Sequence, residues 1–259
     1  MAMNFHDARN RMSYTTRCVD ESWLTCIQKH VHLTGKHAAD VGCGGGIYAK
    51  GLIEAGAAHV TAVDFSEEML QGAARNCQGI SAINFVHGNA YATGLPSGQF
   101  DVLLERALIH HLDRLEEAFQ EASRILTSKG IFIIQDRTPE DCLLPGDASH
   151  IRGYLFEKYP DLAKVETGRR HEAGKVRAAL EANDFKILGE VKLWETREIY
   201  PNTEALSQDL LKRTGRSILH QLQDHELQEL VDYIQSKLNL QAPIIEKDRW
   251  TIWFCENNG

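Results

Sequence analysis

The chain has 259 residues, 43% of them hydrophobic and 25% charged. That composition suits one large globular domain, or a core with substantial insertions, that needs no disulfide or metal staples. Its 28 Lys and Arg against 36 Asp and Glu leave a formal charge of -8, so it lacks the basic footprint of a protein whose main partner is nucleic acid. No stretch approaches the ~20 apolar residues of a membrane span, and the N-terminal segment has no apolar signal-peptide core. Six cysteines at 18, 26, 43, 77, 142 and 255 form no C-x-x-C pair and no zinc-ligand spacing. The reading is a cytoplasmic protein with reduced thiols and no metal site.

Residues 1–35 read as a helical lead-in. From 37 onward, short apolar runs alternate with helical spacing. His37–Cys43 reads as a buried strand, followed by a helix over Ile47–Ala55, and His59–Asp64 is a second strand. Ser66 caps the next helix, where Glu67 and Glu68 suit the positive end of the dipole. Ile83–Val86 and Phe100–Leu104 are further short strands. Asp113–Leu126 has apolar residues at 115, 118, 119, 122, 125 and 126, the stripe of an amphipathic helix, and Ile131–Ile134 is another buried strand. Such alternation predicts an α/β fold with a mainly parallel sheet.

The first 95 residues contain no proline, whereas Pro139, Pro145 and Pro160 crowd one connection. That shift marks an insertion after about residue 137. The domain reading is therefore a lead-in at 1–35, a core at 36–137, and the remainder of the core with cap and substrate-side insertions at 138–259. Within that last part, 172–182, 203–213 and 224–238 read as helices, and 185–194 and 250–255 as strands. Two helices inserted before a closing strand cannot extend the sheet and are expected to cover an edge or mouth of it.

The sharpest local signal is Asp40-Val41-Gly42-Cys43-Gly44-Gly45-Gly46, between a strand and a helix. Glycines there permit a tight turn and let a ligand approach without meeting a Cβ, and the helix beyond offers unpaired N–H groups. A dinucleotide fingerprint G-x-G-x-x-G would need glycine at 47, where the chain has Ile47. An NAD-linked dehydrogenase is disfavoured on that ground, and no G-K-[ST] follows to make a P-loop. The pattern acid-x-G-x-G-x-G is complete in Asp40, Gly42, Gly44 and Gly46. Asp64 ends the second strand, 22 residues after Gly42, where a carboxylate can accept both hydroxyls of a ribose or cap the helix that follows.

In register, ADVGCGGG (39–46), VTAVDFSEEML (60–70), FVHGNAYATGLPSGQFDVL (85–103) and ASRILTSKGIFII (122–134) resemble the class I S-adenosylmethionine-dependent methyltransferases. Within these the chain is most similar to the ubiquinone/menaquinone biosynthesis subgroup. The resemblance covers residues 36–137 well and the rest weakly. It implies a Rossmann-like, seven-stranded, mostly parallel sheet with helical cap insertions. It also implies methyl transfer from S-adenosylmethionine to a small molecule, releasing S-adenosylhomocysteine. Gly42 and Gly44 would then border the amino-acid end of the cofactor, with Asp40 and Cys43 as further cofactor-binding residues, and Asp64 would hold the ribose. Phe65 and Met69 would lie near the adenine. Asn89-Ala90 stands where the family usually has an acid for the adenine amino group, a departure that leaves an uncharged acceptor. The backbone at Arg106 would run beside the methionyl group. Tyr14 and Arg17, in the lead-in, could hold the cofactor carboxylate or sit on the surface of a covering helix. An alternative of another class is a protein that binds the cofactor without methylating.

Transfer from an activated methyl needs alignment and exclusion of water, and a base only where the acceptor must lose a proton. His110 and His111, just past the fourth strand, are the candidates. The bland alternative has His111 packed on the next helix and His110 facing solvent. Arg169-Arg170-His171 could orient an acidic group or be a solvated charge run, and His150, Arg152 and Tyr154 carry the same ambiguity. Trp194, Trp250 and Trp253 are expected in the core.

Overall fold

The computed structural model of the protein describes residues 19–213, 215–238 and 243–259. Helix α1 (Glu21–His30) is capped by Asp20, whose side chain accepts from Ser22 N–H. Strand β1 (His37–Val41) leads through the glycine loop to α2 (Ile47–Glu54), and β2 (His59–Asp64) leads to α3 (Glu67–Asn76). Ser66 caps α3 as expected, its hydroxyl accepting from Met69 N–H at 3.3 Å. Strands β3 (Ile83–His87) and β4 (Phe100–Arg106) follow, then a 3-10 turn at Ile109–His111 and helix α4 (Leu115–Ile125). Leu115, Ala118, Phe119, Ala122 and Ile125 form the buried face of α4, and a fully buried apolar side chain of this size contributes about 1.5–3 kcal/mol.

Strand β5 (Leu126–Asp136) begins five residues before the expected Ile131, because Leu126 already pairs with Phe100 and the ladder then shifts register before Val102 meets Ile131. Beyond it come α5 (Pro139–Cys142), α6 (Ile151–Lys158), α7 (Pro160–Gly168), α8 (Ala173–Ala182) and β6 (Phe185–Tyr200). The chain closes with α9 (Thr203–Leu211), a 3-10 turn at Ser217–Gln221, α10 (Asp224–Lys237) and β7 (Ile244–Asn257). Both β6 and β7 run well past the strands expected at 185–194 and 250–255.

The seven strands are ordered β3-β2-β1-β4-β5-β7-β6. The pairs β1–β2, β2–β3, β1–β4 and β4–β5 are parallel, and β5–β7 is antiparallel. This is the Rossmann-like, mostly parallel sheet implied by the motifs. Alternate residues of β1 enter opposite layers: Ala38 packs with Leu52, Val60 and Trp23, while Ala39 and Val41 pack with Leu103, Phe119 and Phe132. A strand buried on both faces is apolar on both, as β1 is from Ala38 to Val41 except at the buried Asp40.

The described residues fall into two units. One holds residues up to Asp136 together with His171–Leu193 and Thr251–Gly259; the other holds Arg137–Arg170 and Trp194–Trp250. The second has its own core, in which Ile151, Leu155, Leu206, Leu219, Leu230 and Ile234 are buried together. Helices α6 and α7 of this unit lay unread in the sequence, where the segment stood only as an insertion. Residues 151–156 of α6 are all buried, so no polar face gives the helix a period. Among the described residues, no helix is long and apolar enough to cross a membrane.

Candidate functional site

The strand order reverses between β2 and β4, on either side of β1. In an open α/β sheet, ligands gather at the carboxyl ends of the strands at such a point. The glycine loop lies there, tied to the end of β2 by Gly42 N–H and Cys43 N–H, which both donate to Val63 O at 2.8 and 3.0 Å.

The glycines of the loop do different work. Gly46 is the N-cap of α2 at φ +75°, and a Cβ there would lie 2.9 Å from Cys77 Sγ and 3.2 Å from Ala73 Cβ; it is glycine for packing. Gly44, at φ +50°, would point a Cβ into open space, with nothing within 4 Å. Its neighbour Cys43 is buried, and burial pushes that thiol well above its usual range. Space over Gly44 is what a ligand crossing the loop requires.

Asp64, buried at the end of β2, accepts from Gly44 N–H and from Ser66 N–H, each at 2.9 Å. It therefore both holds the loop and leads into α3, and its carboxylate has lone pairs beyond those two bonds. Asp40 sits one strand away with its Oδ2 buried and unpartnered. Burial, and then the neighbouring Asp64 charge, push the Asp40 carboxyl up to about 7, against the pull of Arg106. The Arg106 guanidinium lies over the Tyr48 ring, 3.9 Å from its centroid. Sequence reasoning missed Tyr48; its signal was an aromatic residue in the first turn after the loop.

Phe65 is 43% exposed, whereas Met69 is buried at 1%. Asn89 Oδ1 accepts from Tyr91 N–H and Ala92 N–H at 2.9 and 3.1 Å, shaping a tight turn over the buried Ala90. Tyr14 and Arg17 lie outside the described residues.

On the other layer, the ends of β4 and β5 bring together residues 26 positions apart. His110 Nδ1–H donates to Asp136 Oδ2 at 2.8 Å, and the His110 backbone N–H donates to the same oxygen at 3.2 Å. The alternative that had His110 facing solvent is overturned: its side chain is 9% exposed, and it is His111 that lies on the surface. The two rings lie tilted, 3.9 Å apart. Glu105, at the end of β4, is buried with Oε2 unpartnered; burial, then the Asp136 charge, push its carboxyl up to about 8. His171 is neither solvated nor aimed at a ligand. Its Nε2–H lies 3.0 Å from Ile109 O and 2.9 Å from Leu112 O, fastening both ends of the turn that carries His110.

Other expectations divide. Arg170, with its side chain 1% exposed, is no solvated charge. His150, Arg152 and Tyr154 are all buried. Trp250 and Trp253 are in the core, but Trp194 is 39% exposed, a correction that follows from its place on an outward position of β6.

Residues 39–134 match the family model described as a methyltransferase domain. A ubiquinone biosynthesis O-methyltransferase of Methylococcus capsulatus is 36% identical over 101 residues, 38% of this chain and 42% of that one. A ubiquinone/menaquinone biosynthesis C-methyltransferase of Methylobacterium nodulans is 34% identical over 136 residues, 51% of this chain and 53% of that one. The chain thus spans about half the length of these curated relatives. The solved structure of the YcgJ protein from Bacillus subtilis shares the fold, with TM-score 0.59 and 17% identity over 92% of this chain and 98% of that one. Family match, relatives and strand order thus agree over the core: residues 39–134 match a methyltransferase domain, set in a Rossmann-like sheet like that of the solved neighbour.

Proposed function

We propose that the protein transfers a methyl group from S-adenosylmethionine to a small-molecule acceptor in the cytoplasm. The observation that carries this reading is the glycine loop, open over Gly44 and fastened to Asp64, at the point where the strand order reverses. The bound cofactor supplies a sulfonium-activated methyl and departs as S-adenosylhomocysteine. The residues present fit it. Asp40 Oδ2, buried and unpartnered, suits a cationic ligand; Asp64 is placed to accept from ribose hydroxyls; Gly42, Cys43, Gly44 and the backbone at Arg106 border the methionyl end. Exposed Phe65 offers a face to the adenine, Met69 backs that region, and the Asn89-Ala90 turn closes it. The Asn89 oxygen already takes two backbone N–H groups, so an adenine amino group would have to share it. Tyr14 and Arg17 would serve the cofactor carboxylate.

His110 is the base for an acceptor that must lose a proton. Its Nδ1–H is committed to Asp136, which fixes the tautomer that presents a basic Nε2. A phenol or an activated carbon is an acceptor of that kind, and the names of the relatives include both O- and C-methylation. The segment 138–259 would supply acceptor-side recognition. The charge of -8 supports a small molecule over nucleic acid.

The test is S-adenosylhomocysteine formation when the purified protein and S-adenosylmethionine meet a fractionated cytosolic metabolite extract. Turnover tied to particular fractions, with a product one methyl group heavier by mass spectrometry, is the expected result. S-adenosylmethionine that neither binds nor turns over would overturn the proposal.

A further inference from the structure

The parallel sheet carries a buried acid that the fold itself does not use. Glu105 is 1% exposed, yet its Oε2 meets no hydrogen-bond donor among the described residues. Burying a carboxylate without a donor is costly, and a group kept at that cost calls for a reason other than packing.

Strand register shows what surrounds it. Glu105 stands opposite Val41 of β1 and Ile134 of β5, and successive side chains of a strand enter opposite layers. Val41, Leu103 and Ile134 belong to the layer packed on α4. Glu105 therefore belongs to it as well, and so does Asp136, two residues beyond Ile134. The faces that α4 and α8 turn to this layer are apolar. Strand β7 adds the buried Cys255 thiol and Trp253, whose indole N–H donates to Glu190 at 2.9 Å. His171 is taken up by the carbonyls of the His110 turn. Asp40 and Arg106 alternate into the opposite layer, where Arg106 lies over Tyr48 of α2. The charge that Glu105 answers to is thus that of Asp136, and beyond it His110.

Two carboxyl groups buried in one layer resist ionising together, and hydrogen bonds decide which of them holds the charge. Asp136 accepts from the His110 ring N–H at 2.8 Å and from the His110 backbone N–H at 3.2 Å. Glu105 Oε2 accepts from nothing. The charge therefore falls to Asp136 and the proton stays on Glu105. The push of the Glu105 carboxyl up to about 8, by burial and then by Asp136, agrees with that division.

We propose that Glu105 is a positioning residue for the His110 base, acting through Asp136 as a reserve carboxyl that answers the charge the imidazole gains on taking a proton. One proton enters at His110 Nε2 and one leaves Glu105 for solvent. The imidazolium is then matched by two carboxylates in place of one, and the net charge of the three groups stays the same. They titrate as one coupled set. Glutamine at 105 has the shape of the neutral acid but no proton to release. The proposal rests on the reading of His110 as base.

The experiment is imidazole nitrogen NMR of the whole protein, labelled at histidine, across about pH 5–10, a range that brackets histidine and the raised acid. His110→Gln identifies the His110 signals, and circular dichroism melting checks the fold of each variant. In wild type the His110 nitrogens should shift as the imidazole titrates and shift again near pH 8 as Glu105 ionises. Folded Glu105→Gln should lose the step near pH 8 and keep the other. A step that comes from His111, whose ring lies 3.9 Å from that of His110, survives the substitution. A single simple step in wild type, or a wild-type titration that superimposes on that of folded Glu105→Gln, overturns the proposal. The spectra need neither cofactor nor turnover. Loss of the coupling is therefore distinguishable from failure of the methyl-transfer reading, which the rate of His110→Ala tests.

Discussion

Asp136 holds His110 twice, through the ring Nδ1–H at 2.8 Å and the backbone N–H at 3.2 Å. One grip orients the imidazole and the other fixes the turn that bears it. A carboxylate placed so makes the remaining ring nitrogen the basic one. His110→Ala should lower kcat by about 100-fold or more for an acceptor that loses a proton on the enzyme. Asp136→Asn should lower it by less, and both should leave S-adenosylmethionine affinity within about twofold of wild type. Equal turnover in folded His110→Ala would remove His110 as base.

His171 supports that turn from outside the site. Replacing it with Phe removes the side-chain donor from Leu112 O and leaves Ile109 O only the Leu112 N–H, which should cost about 1–3 kcal/mol in denaturant unfolding. Turnover should fall with it, since the His110 turn loosens.

The two layers of the site should respond differently to pH. Glu105 is raised from 4.5 in the unfolded chain to about 8 in the folded protein. Its contribution to stability is therefore complete below about 4.5, declines as the unfolded chain ionises, and is lost once pH passes about 8. Unfolding midpoints should drop across that window, and Glu105→Gln should flatten the drop. Asp40, raised from 3.8 to about 7, should release its proton to solvent when a cationic ligand binds beside it. S-adenosylmethionine affinity should then rise with pH through about 7, and Asp40→Asn should abolish the rise.

Within the loop, Gly44→Ala and Gly46→Ala should separate binding from packing. A Cβ on Gly46 meets Cys77 and Ala73, whereas one on Gly44 meets nothing. Gly46→Ala should lose the larger share of stability. Gly44→Ala should lose about 1–2 kcal/mol from its positive φ and lose most of its ligand affinity, measured by titration against the melting curve.

What was legible in the sequence was local. The loop glycines lie in one strand–turn–helix unit, and Asp64 and Ser66 in the next, and spacing within each unit places these groups. The pair of His110 and Asp136 was not legible, because two residues 26 apart meet only through the parallel pairing of β4 with β5, where Arg106 stands opposite Gln135. His110 and His111 exchanged their expected surroundings for the same reason: the 3-10 turn, not an α-helix, sets which ring faces in. Arg169 and Arg170 looked like a surface charge run because nothing in the chain order shows that Glu166, three and four positions earlier, lies fully buried. Trp194 was misread because β6 continues to Tyr200, with alternate side chains outward along most of it.

The most direct measurement is titration of the purified protein with S-adenosylmethionine, wild type beside Asp64→Ala, each checked for folding. The account predicts one site per chain in the wild type and a loss of about 1.5–3 kcal/mol in the variant, the range for a hydrogen bond involving a charged group. Equal affinity in a folded Asp64→Ala, or no binding by wild type at millimolar cofactor, would contradict it.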